Sequence, residues 1–201
     1  MYSINIAIFA SGSGSNAQKI CQYLLSKKYL KDFGIYKESF SIIPSLILTN
    51  KKDAYVLERA KNLKIKSHFF EHDELSNPSG KIAKLLKDNN IAYLILAGFL
   101  LKIPPYLVKN YSSKIINLHP SLLPKYGGKG MYGKKVHQSV IDSGDSHSGI
   151  TIHLVDNNYD NGEHLFQITT PIDTNETPET LANKIHQLEW EHFPKVICSY
   201  I

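Results

Sequence analysis

The chain has 201 residues, 42% of them hydrophobic, which is enough to bury one core of ordinary size without disulfides or metals. Its 23 basic and 18 acidic residues give a net charge of +5, and lysine supplies nearly all the positive charge because Arg59 is the sole arginine. No basic run is long enough to indicate nucleic-acid binding, and no apolar run is long enough to indicate a membrane span. The two cysteines, Cys21 and Cys198, show no metal-site or disulfide spacing. With no signal-peptide pattern at the first residues, we expect a cytoplasmic protein.

Apolar, β-branched runs alternate with helical patterns over the first 118 residues. Predicted strands cover residues 4–9, 46–49, 93–96 and 115–118, and predicted helices cover residues 18–25, 55–63, 82–86 and 106–111. The stretch 68–72 is interpreted as strand and turn. This βαβ rhythm predicts an α/β fold with an open, doubly wound, mostly parallel sheet and helices on both faces. Ligands of such sheets bind at the carboxyl ends of the strands.

The alternation of strands and helices stops after residue 118, because prolines and glycines interrupt any regular element from residue 120 to residue 133. Long loops in compact domains are often functional, which makes this one a candidate for a binding segment. The pattern then predicts a helix over residues 136–141, strands over 150–155 and 165–169, and a closing helix over 178–197. We find no repeat and no linker, so we expect a single domain, residues 1–201.

The first candidate motif is a glycine-rich turn at residues 12–17, between a predicted strand and a predicted helix. It matches the G-x-G-x-x-A dinucleotide pattern. The next strand, however, ends in Asn50 and supplies no acid for a ribose hydroxyl, which disfavours a dinucleotide. The N–H groups of Gly14, Ser15 and Asn16 would instead point from a helix N-terminus toward an anion. A simpler alternative is that Ser15 only caps the helix.

The second candidate motif is Asn117 and His119 at a strand end. Side chains alternate along a strand, so this amide and this imidazole leave the same face and converge. Such a pair can stabilise an oxyanion and move a proton. The alternative is that His119 only binds a backbone carbonyl. Asp160 is a third candidate: it lies either in a plain turn or beside His119, where its carboxylate would raise the pKa of the imidazole.

Histidine spacing was also considered for a metal site. His68 and His72 are four residues apart but lie in a segment interpreted as strand and turn, and His147 and His153 are six residues apart. Neither pair forms a recognised ligand pattern, so we expect no bound metal.

These motifs resemble the phosphoribosylglycinamide formyltransferase family, the folate-dependent enzymes of purine biosynthesis. The resemblance covers nearly the whole chain and rests on residues 11–16, 97–99, 117–126 and 160–162, of which the third stretch is the most specific. It implies that 10-formyltetrahydrofolate donates a formyl group to the amine of glycinamide ribonucleotide. Residues 1–118 would then form the half that binds the nucleotide phosphate, and residues 119–201 would complete the folate and catalytic site.

The resemblance also implies roles for individual residues. Asn117 and His119 would stabilise the tetrahedral oxyanion while Asp160 keeps His119 protonated. Gly14, Ser15 and Asn16 would hold the phosphate, and Glu189 would lie near the acceptor amine. The folate would contact the residues Phe99, Leu100, Leu101, Lys102, Ile103, Asn117, Val155, Asp156 and Tyr159.

Other functions stay open at this point. A sugar-nucleotide formyltransferase, or another folate-dependent amine formyltransferase, would use the same Asn-x-His pattern. A dinucleotide-dependent oxidoreductase would explain the glycine-rich turn but not Asn117 and His119, and a non-catalytic anion-binding module would explain less. Relatives acting on tRNA or deformylating folate carry further domains, which a single domain does not accommodate. The expected partners are therefore small molecules, with no nucleic acid or membrane, and the protein is expected to be a monomer or homodimer.

Overall fold

A computed structural model describes residues 2–35 and 40–201, which contain seven strands and eight helices. The strands are Tyr2–Phe9 (β1), Phe40–Thr49 (β2), Ser67–Phe69 (β3), Ile91–Leu96 (β4), Ile115–His119 (β5), His147–Leu154 (β6) and His164–Pro171 (β7). The helices are Ser15–Leu25 (α1), Lys28–Asp32 (α2), Val56–Asn62 (α3), His72–Ser76 (α4), Lys81–Asp88 (α5), Pro105–Asn110 (α6), Lys134–Asp142 (α7) and Pro178–Tyr200 (α8).

One sheet contains all the described strands, in the order β3-β2-β1-β4-β5-β6-β7. The pairs among β1 to β5 are parallel, while β5–β6 and β6–β7 are antiparallel. The strand order reverses direction between β1 and β4, and at such a point the loops after the two strands diverge and leave a crevice. The predicted mostly parallel α/β sheet is confirmed.

Two apolar cores cover the two faces of the sheet, and β1 contributes to both. Ile6 and Ile8 lie in the core that α1, α3 and α8 cover, whereas Ala7 and Phe9 lie in the core that α4, α5 and α6 cover. The period of two along the strand therefore separates the cores. Burial on both faces explains why the second half of β1, residues 6–9, is a continuous apolar run in the sequence.

Three local predictions need correction. The five-residue helix α2 was not predicted, because it is short and starts after Lys27 in a left-handed conformation. The stretch interpreted as strand and turn contains β3 but leads directly into the helix α4, whose first turn is closed by reciprocal hydrogen bonds between Glu71 and Glu74. Strand β2 begins at Phe40, six residues before its predicted start. Among the helices of the described part, none combines the length and apolar character needed to cross a bilayer.

Candidate active site

A cavity of about 570 Å³ opens at the carboxyl ends of β1, β4 and β5. Its walls come from the turn before α1, the loop after β4, the end of β5, the loop before α7, the loop after β6 and one face of α8. Every residue that the sequence pointed to as catalytic or binding lines this cavity. The fold therefore brings the candidate motifs together, although they are separated by up to 175 residues.

The carboxamide of Asn117 lies between two side chains. Its Nδ2 atom is 3.0 Å from Nε2 of His153, which pairs with it across β5 and β6, and 3.5 Å from Oδ1 of Asp160. The Nδ1 atom of His153 lies 2.7 Å from the carbonyl oxygen of Leu154 and donates to it, so in the neutral ring Nε2 accepts from Asn117. Both N–H bonds of the carboxamide are thus directed at protein acceptors, and the contact with Asp160 is the weaker one.

The imidazole of His119 is buried and has an acceptor oxygen at each nitrogen. Its Nε2 atom donates to the carbonyl oxygen of Tyr126 at 2.8 Å, and its Nδ1 atom lies 3.5 Å from Oδ2 of Asp160. His119 therefore does bind a backbone carbonyl, but it also faces the carboxylate. Two facing acceptors suit an imidazolium, which donates from both nitrogens.

Burial works against that charge. It is the largest influence on the pKa of His119 and, together with His153, lowers that pKa below its ordinary value despite the carboxylate of Asp160 and the carbonyl of Tyr126, which raise it. The expectation that Asp160 leaves His119 with a raised pKa is therefore wrong in its net direction. The carboxylate of Asp160 does raise the pKa of His119, as expected, but the lowering caused by burial is larger.

Asp160 owes its position to the loop after β6. The residue adopts a positive φ of 49°, and Oδ2 accepts a hydrogen bond from the backbone N–H of Gly128 at 2.8 Å. Burial alone would raise the pKa of Asp160, but the imidazoles of His153 and His119, 3.6 Å and 3.5 Å from its oxygens, and the N–H of Gly128 together hold the pKa below its ordinary value. Asp160 is accordingly a carboxylate at neutral pH, as a partner for an imidazolium must be.

The loop before α7 is tied to the sheet beneath the site. Thr151 on β6 donates its hydroxyl hydrogen to the carbonyl of Ser121 at 2.7 Å and accepts the backbone N–H of Leu123 at 3.0 Å. The side chain of Gln167 on β7 reaches the same threonine and the carbonyl of Leu123. These bonds fix the chain that follows His119, including the Tyr126 carbonyl on which the imidazole rests.

The turn before α1 is built from backbone. Gly14 is the N-cap of α1 and has a φ of 73°, while Ser15 is the first residue of the helix and makes no side-chain cap. The alternative in which Ser15 only caps the helix is therefore wrong. Two residues of α3 support the turn: Val56 packs against Gly14, and Nε of Arg59 donates to the carbonyl of Ser13 at 2.8 Å. The free N–H groups of this first turn suit an anion.

Glu189 on α8 faces the same end of the cavity. It is buried, and Nδ2 of Asn16 donates to its Oε2 at 2.8 Å. Burial raises the pKa of Glu189 to about 7, against the smaller lowering effect of Asn16. This carboxyl group can thus exchange a proton near neutral pH next to the glycine-rich turn before α1.

The opposite wall is more apolar and more open. Leu100 and Tyr159 are exposed at the cavity mouth, and the ammonium of Lys102 lies 5.3 Å from the centre of the Tyr159 ring. Deeper in, Ile103 is buried and Phe99 packs edge-on against Phe9. The remaining predicted folate contacts, namely Leu101, Val155 and Asp156, also line this wall.

Three histidines of the cavity were not identified as site residues from the sequence. His153 was considered only as a metal ligand, whereas it holds Asn117. His137 on α7 is buried, its Nδ1 has no hydrogen-bond partner among the described residues, and burial lowers its pKa to about 4. His186 on α8 stacks on Trp190 and lies one turn before Glu189. The i, i+3 spacing of His186 and Glu189 on a predicted helix was the signal that could have found it.

Metal-ligating groups do not cluster in the part of the chain that the structure covers: no set of three or more His, Cys, Asp or Glu side chains there could hold an ion. The cavity histidines instead contact carbonyls, a carboxylate, an amide and an indole.

Comparisons with known proteins bear on the family and the fold of the chain. Residues 4–197 match the formyl transferase family. The chain is 36% identical to the chloroplastic phosphoribosylglycinamide formyltransferase of Arabidopsis thaliana over 96% of its own length, and 34% identical to the phosphoribosylglycinamide formyltransferase of Bacillus subtilis (strain 168) over 95%. It spans 63% of the plant relative, less than two thirds, and 91% of the bacterial one.

A solved structure shares the whole fold. The glycinamide ribonucleotide transformylase 1 of Geobacillus kaustophilus superposes with a TM-score of 0.82 at 31% identity, and the match covers 98% of each chain. Family, sequence and fold agree over nearly all of the chain, and the candidate residues line one cavity of that fold. The chain therefore belongs to the formyl transferase family.

Proposed function

We propose that this protein transfers the formyl group of 10-formyltetrahydrofolate to the amine of glycinamide ribonucleotide, a step of purine biosynthesis. The observation that carries the proposal is that Asn117, His119 and Asp160 meet in one cavity. On one side of them lies the turn at residues 12–17, called the anion-binding turn below, and on the other side lies the more apolar wall formed by the loop after β4. Membership of the formyl transferase family and the names of the two relatives support the same reaction.

The acceptor is assigned to the side of the cavity next to α1. Its phosphate would accept hydrogen bonds from the backbone N–H groups of Gly14, Ser15 and Asn16, where the helix dipole also favours negative charge. Glu189 would lie near the acceptor amine. An amine must be uncharged to act as a nucleophile, and a carboxyl group with a pKa of about 7 can take up the proton that the amine loses on binding.

The donor is assigned to the opposite wall. The flat pteridine and benzoyl parts of a reduced folate are largely apolar, and such groups bind in concave sites with a few placed polar atoms. The proposed contacts are the residues Phe99, Leu100, Leu101, Lys102, Ile103, Asn117, Val155, Asp156 and Tyr159. No metal is required by this assignment, because polarisation of the formyl group is given to hydrogen bonds and to the imidazolium.

The chemical step follows from the contacts of the buried cluster. The acceptor amine attacks the formyl carbon, and negative charge develops on the formyl oxygen. Asn117 turns its weaker N–H contact, the one to Asp160, toward that oxygen. The developing negative charge favours proton uptake by His119, whose imidazolium then stabilises that charge from the side. When the tetrahedral species collapses, the bond from carbon to N10 of the folate breaks. The nitrogen of the acceptor loses a proton and N10 gains one, which Asp160 and His119 relay through water.

A spectroscopic assay tests the proposal. Purified protein is mixed with 10-formyltetrahydrofolate and either glycinamide ribonucleotide or a panel of nucleotide-linked amino sugars, and release of tetrahydrofolate is followed by absorbance. The proposal requires acceptor-dependent release with the ribonucleotide. Turnover with amino sugars alone would make the protein a sugar-nucleotide formyltransferase, and release that needs no acceptor would make it a hydrolase of the donor.

Further properties remain predictions. We propose a single domain over residues 1–201, acting on small molecules without nucleic acid or membrane, as a monomer or homodimer. A cytoplasmic location is also a prediction, since the plant relative is named as a chloroplastic protein and location therefore varies within the family.

A further inference from the structure

One buried serine joins the two sides of the cavity. Ser11 follows β1 and directly precedes the anion-binding turn, and its side chain is buried. Its backbone N–H donates to the carbonyl of Gly98 at 3.0 Å, and its Oγ accepts the backbone N–H of Leu100, also at 3.0 Å. Both partners belong to the loop after β4, which forms the proposed donor wall. The acceptor-side turn and the donor-side loop are therefore hydrogen-bonded to each other through a single residue.

A second residue fixes the direction of that serine hydroxyl. The hydroxyl of Ser11 donates its one hydrogen to Oδ1 of Asn50 at 2.6 Å. With that hydrogen committed, an oxygen lone pair is left to accept from Leu100. Asn50 follows β2, at the place where a dinucleotide-binding chain carries an acidic residue for the ribose. Here the same position contacts protein rather than ligand.

The donor loop needs such an anchor. Gly98 adopts a left-handed conformation with a φ of 73°, and Leu100 is exposed at the mouth of the cavity, so of these three residues only Phe99 packs against the core, on the rings of Phe9 and Phe70. The bonds to Ser11 hold the backbone on either side of that ring. A displacement of this loop by a fraction of an ångström would move the donor relative to the acceptor amine, and group transfer is sensitive to displacements of that size.

We propose that Ser11 and Asn50 are positioning residues, which hold the donor-side loop at residues 98–100 in register with the anion-binding turn. Neither side chain is assigned a contact with the reacting atoms; Ser11 acts through Leu100 and Asn50 acts through Ser11. The substrate names rest on the proposed function, but the mechanical link between the two loops does not.

Four variants test the proposal. Ser11→Ala and Asn50→Ala remove the anchor, Asn50→Asp keeps an oxygen that accepts the serine hydrogen, and Ser199→Ala deletes a hydroxyl that bonds to Val196 at the far end of α8. We expect Ser11→Ala and Asn50→Ala to raise the KM for 10-formyltetrahydrofolate about fivefold or more. In Ser11→Ala the N–H of Leu100 and the amide oxygen of Asn50 lose their partner, and in Asn50→Ala the hydroxyl of Ser11 loses its acceptor. In Asn50→Ala the KM for the acceptor should change less than twofold. Asn50→Asp should restore the donor KM, and Ser199→Ala should leave it unaltered.

A readout that needs no turnover separates this inference from the proposed function. Amide hydrogen exchange at Leu100, followed by NMR, should accelerate about tenfold in Ser11→Ala and Asn50→Ala and return in Asn50→Asp. If the unaltered protein transfers no formyl group but these exchange rates behave as expected, the reaction assignment fails and the link between the loops stands. Unchanged exchange at Leu100, an unchanged donor KM, or an Asn50→Asp variant as impaired as Asn50→Ala would overturn the inference.

Discussion

The two ends of the cavity are built in different ways. At the turn before α1, which we propose binds the acceptor phosphate, the groups available to a ligand are backbone N–H groups, and the side chains of Val56 and Arg59 support the backbone from behind. At the proposed catalytic cluster of Asn117, His119 and Asp160 the groups available to a ligand are side chains, and the backbone around them supplies partners, namely the carbonyl of Tyr126 and the N–H of Gly128. A side-chain substitution therefore removes a functional group directly at the cluster, whereas at the turn it leaves the backbone N–H groups in place.

This difference predicts what each region tolerates. The cluster should lose function when one atom of a side chain is exchanged, even if the shape is kept. The turn should accept many changes of side chain but not a change of backbone conformation.

The largest effect is expected in the cluster. Asp160→Asn keeps the shape of the side chain but removes the negative charge that faces His119, and His119→Ala removes the imidazole itself. Each should lower kcat for formyl transfer on the order of 100-fold or more with the fold retained. Steady-state kinetics would measure the loss of kcat, and thermal unfolding would show whether the fold is retained.

A matched control lies on the surface. Asp173→Asn removes a carboxylate that pairs with Lys184 outside the cavity, and exposed pairs of this kind contribute little to stability. It should leave kcat unaltered. Near-normal turnover in Asp160→Asn would remove that residue from the mechanism.

Next in size is the effect of a single methyl group at the anion-binding turn. A Cβ at Gly14 would lie 2.4 Å from Cγ2 of Val56, and the φ of 73° disfavours any L side chain. Gly14→Ala should therefore lower the free energy of unfolding by about 2 kcal/mol and raise the KM for the acceptor. In Gly12→Ala the new Cβ meets nothing within 4 Å, so its stability should be close to that of the unaltered protein. Equal unfolding midpoints for the two variants in urea would contradict the steric account.

Glu189 gives a prediction that changes with pH. Its pKa is about 7 in the folded protein and near the ordinary 4.5 in the unfolded chain, so between these values the unfolded state binds fewer protons. The stability that Glu189 contributes is complete below about pH 4.5 and is lost as the pH rises through about 7. Glu189→Gln removes this slope and should gain on the order of 1 to 3 kcal/mol over the unaltered protein between pH 5 and pH 8.

The same variant is expected to bind the acceptor more weakly, since it cannot take up the proton of the amine. Denaturant unfolding at pH 5, 6.5 and 8 would measure the first effect, and the KM for the acceptor the second. Parallel stability curves for Glu189→Gln and the unaltered protein would show that the carboxyl group has an ordinary pKa.

The smallest effect is expected at Arg59. Its guanidinium donates to the carbonyl of Ser13 and to the side chain of Gln18, and it lies 4.9 Å from the ring of Tyr55. Lysine keeps the charge but cannot reproduce the fork. Arg59→Lys should raise the KM for the acceptor by about two- to fivefold with little change in kcat or in the KM for the donor. A loss in kcat as large as that in Asp160→Asn would mean that the turn and the cluster are not separate.

The backbone-built region was the easier one to predict. Glycine spacing between a strand and a helix is a local signal, and it predicts the turn at residues 12–17 from the sequence alone. The convergence of Asn117 and His119 also followed from a local rule, the alternation of side chains along β5. These features depend on residues close together in the chain, which is why the sequence could reveal them.

The rest of the cluster depends on contacts between distant elements. His153 is part of the site because β6 pairs antiparallel to β5, which places His153 opposite Asn117. The register of that pairing cannot be predicted from a local sequence pattern. The pKa of His119 could not be predicted because the carboxylate of Asp160 was visible in the sequence while the depth of burial was not. Among the elements, α2 and α4 were missed because five residues carry too little periodicity.

The titration of His119 tests most directly the claim that a buried carboxylate sustains the charge of this imidazole. Proton uptake at His119 can be followed by NMR of labelled ring nitrogens in the unaltered protein and in Asp160→Asn. The account predicts a pKa below the ordinary value in the unaltered protein and a further fall in Asp160→Asn, where burial acts without its opposing charge. An equal or higher pKa in Asp160→Asn would show that Asp160 does not sustain the charge, and the proposed chemistry would lose its basis.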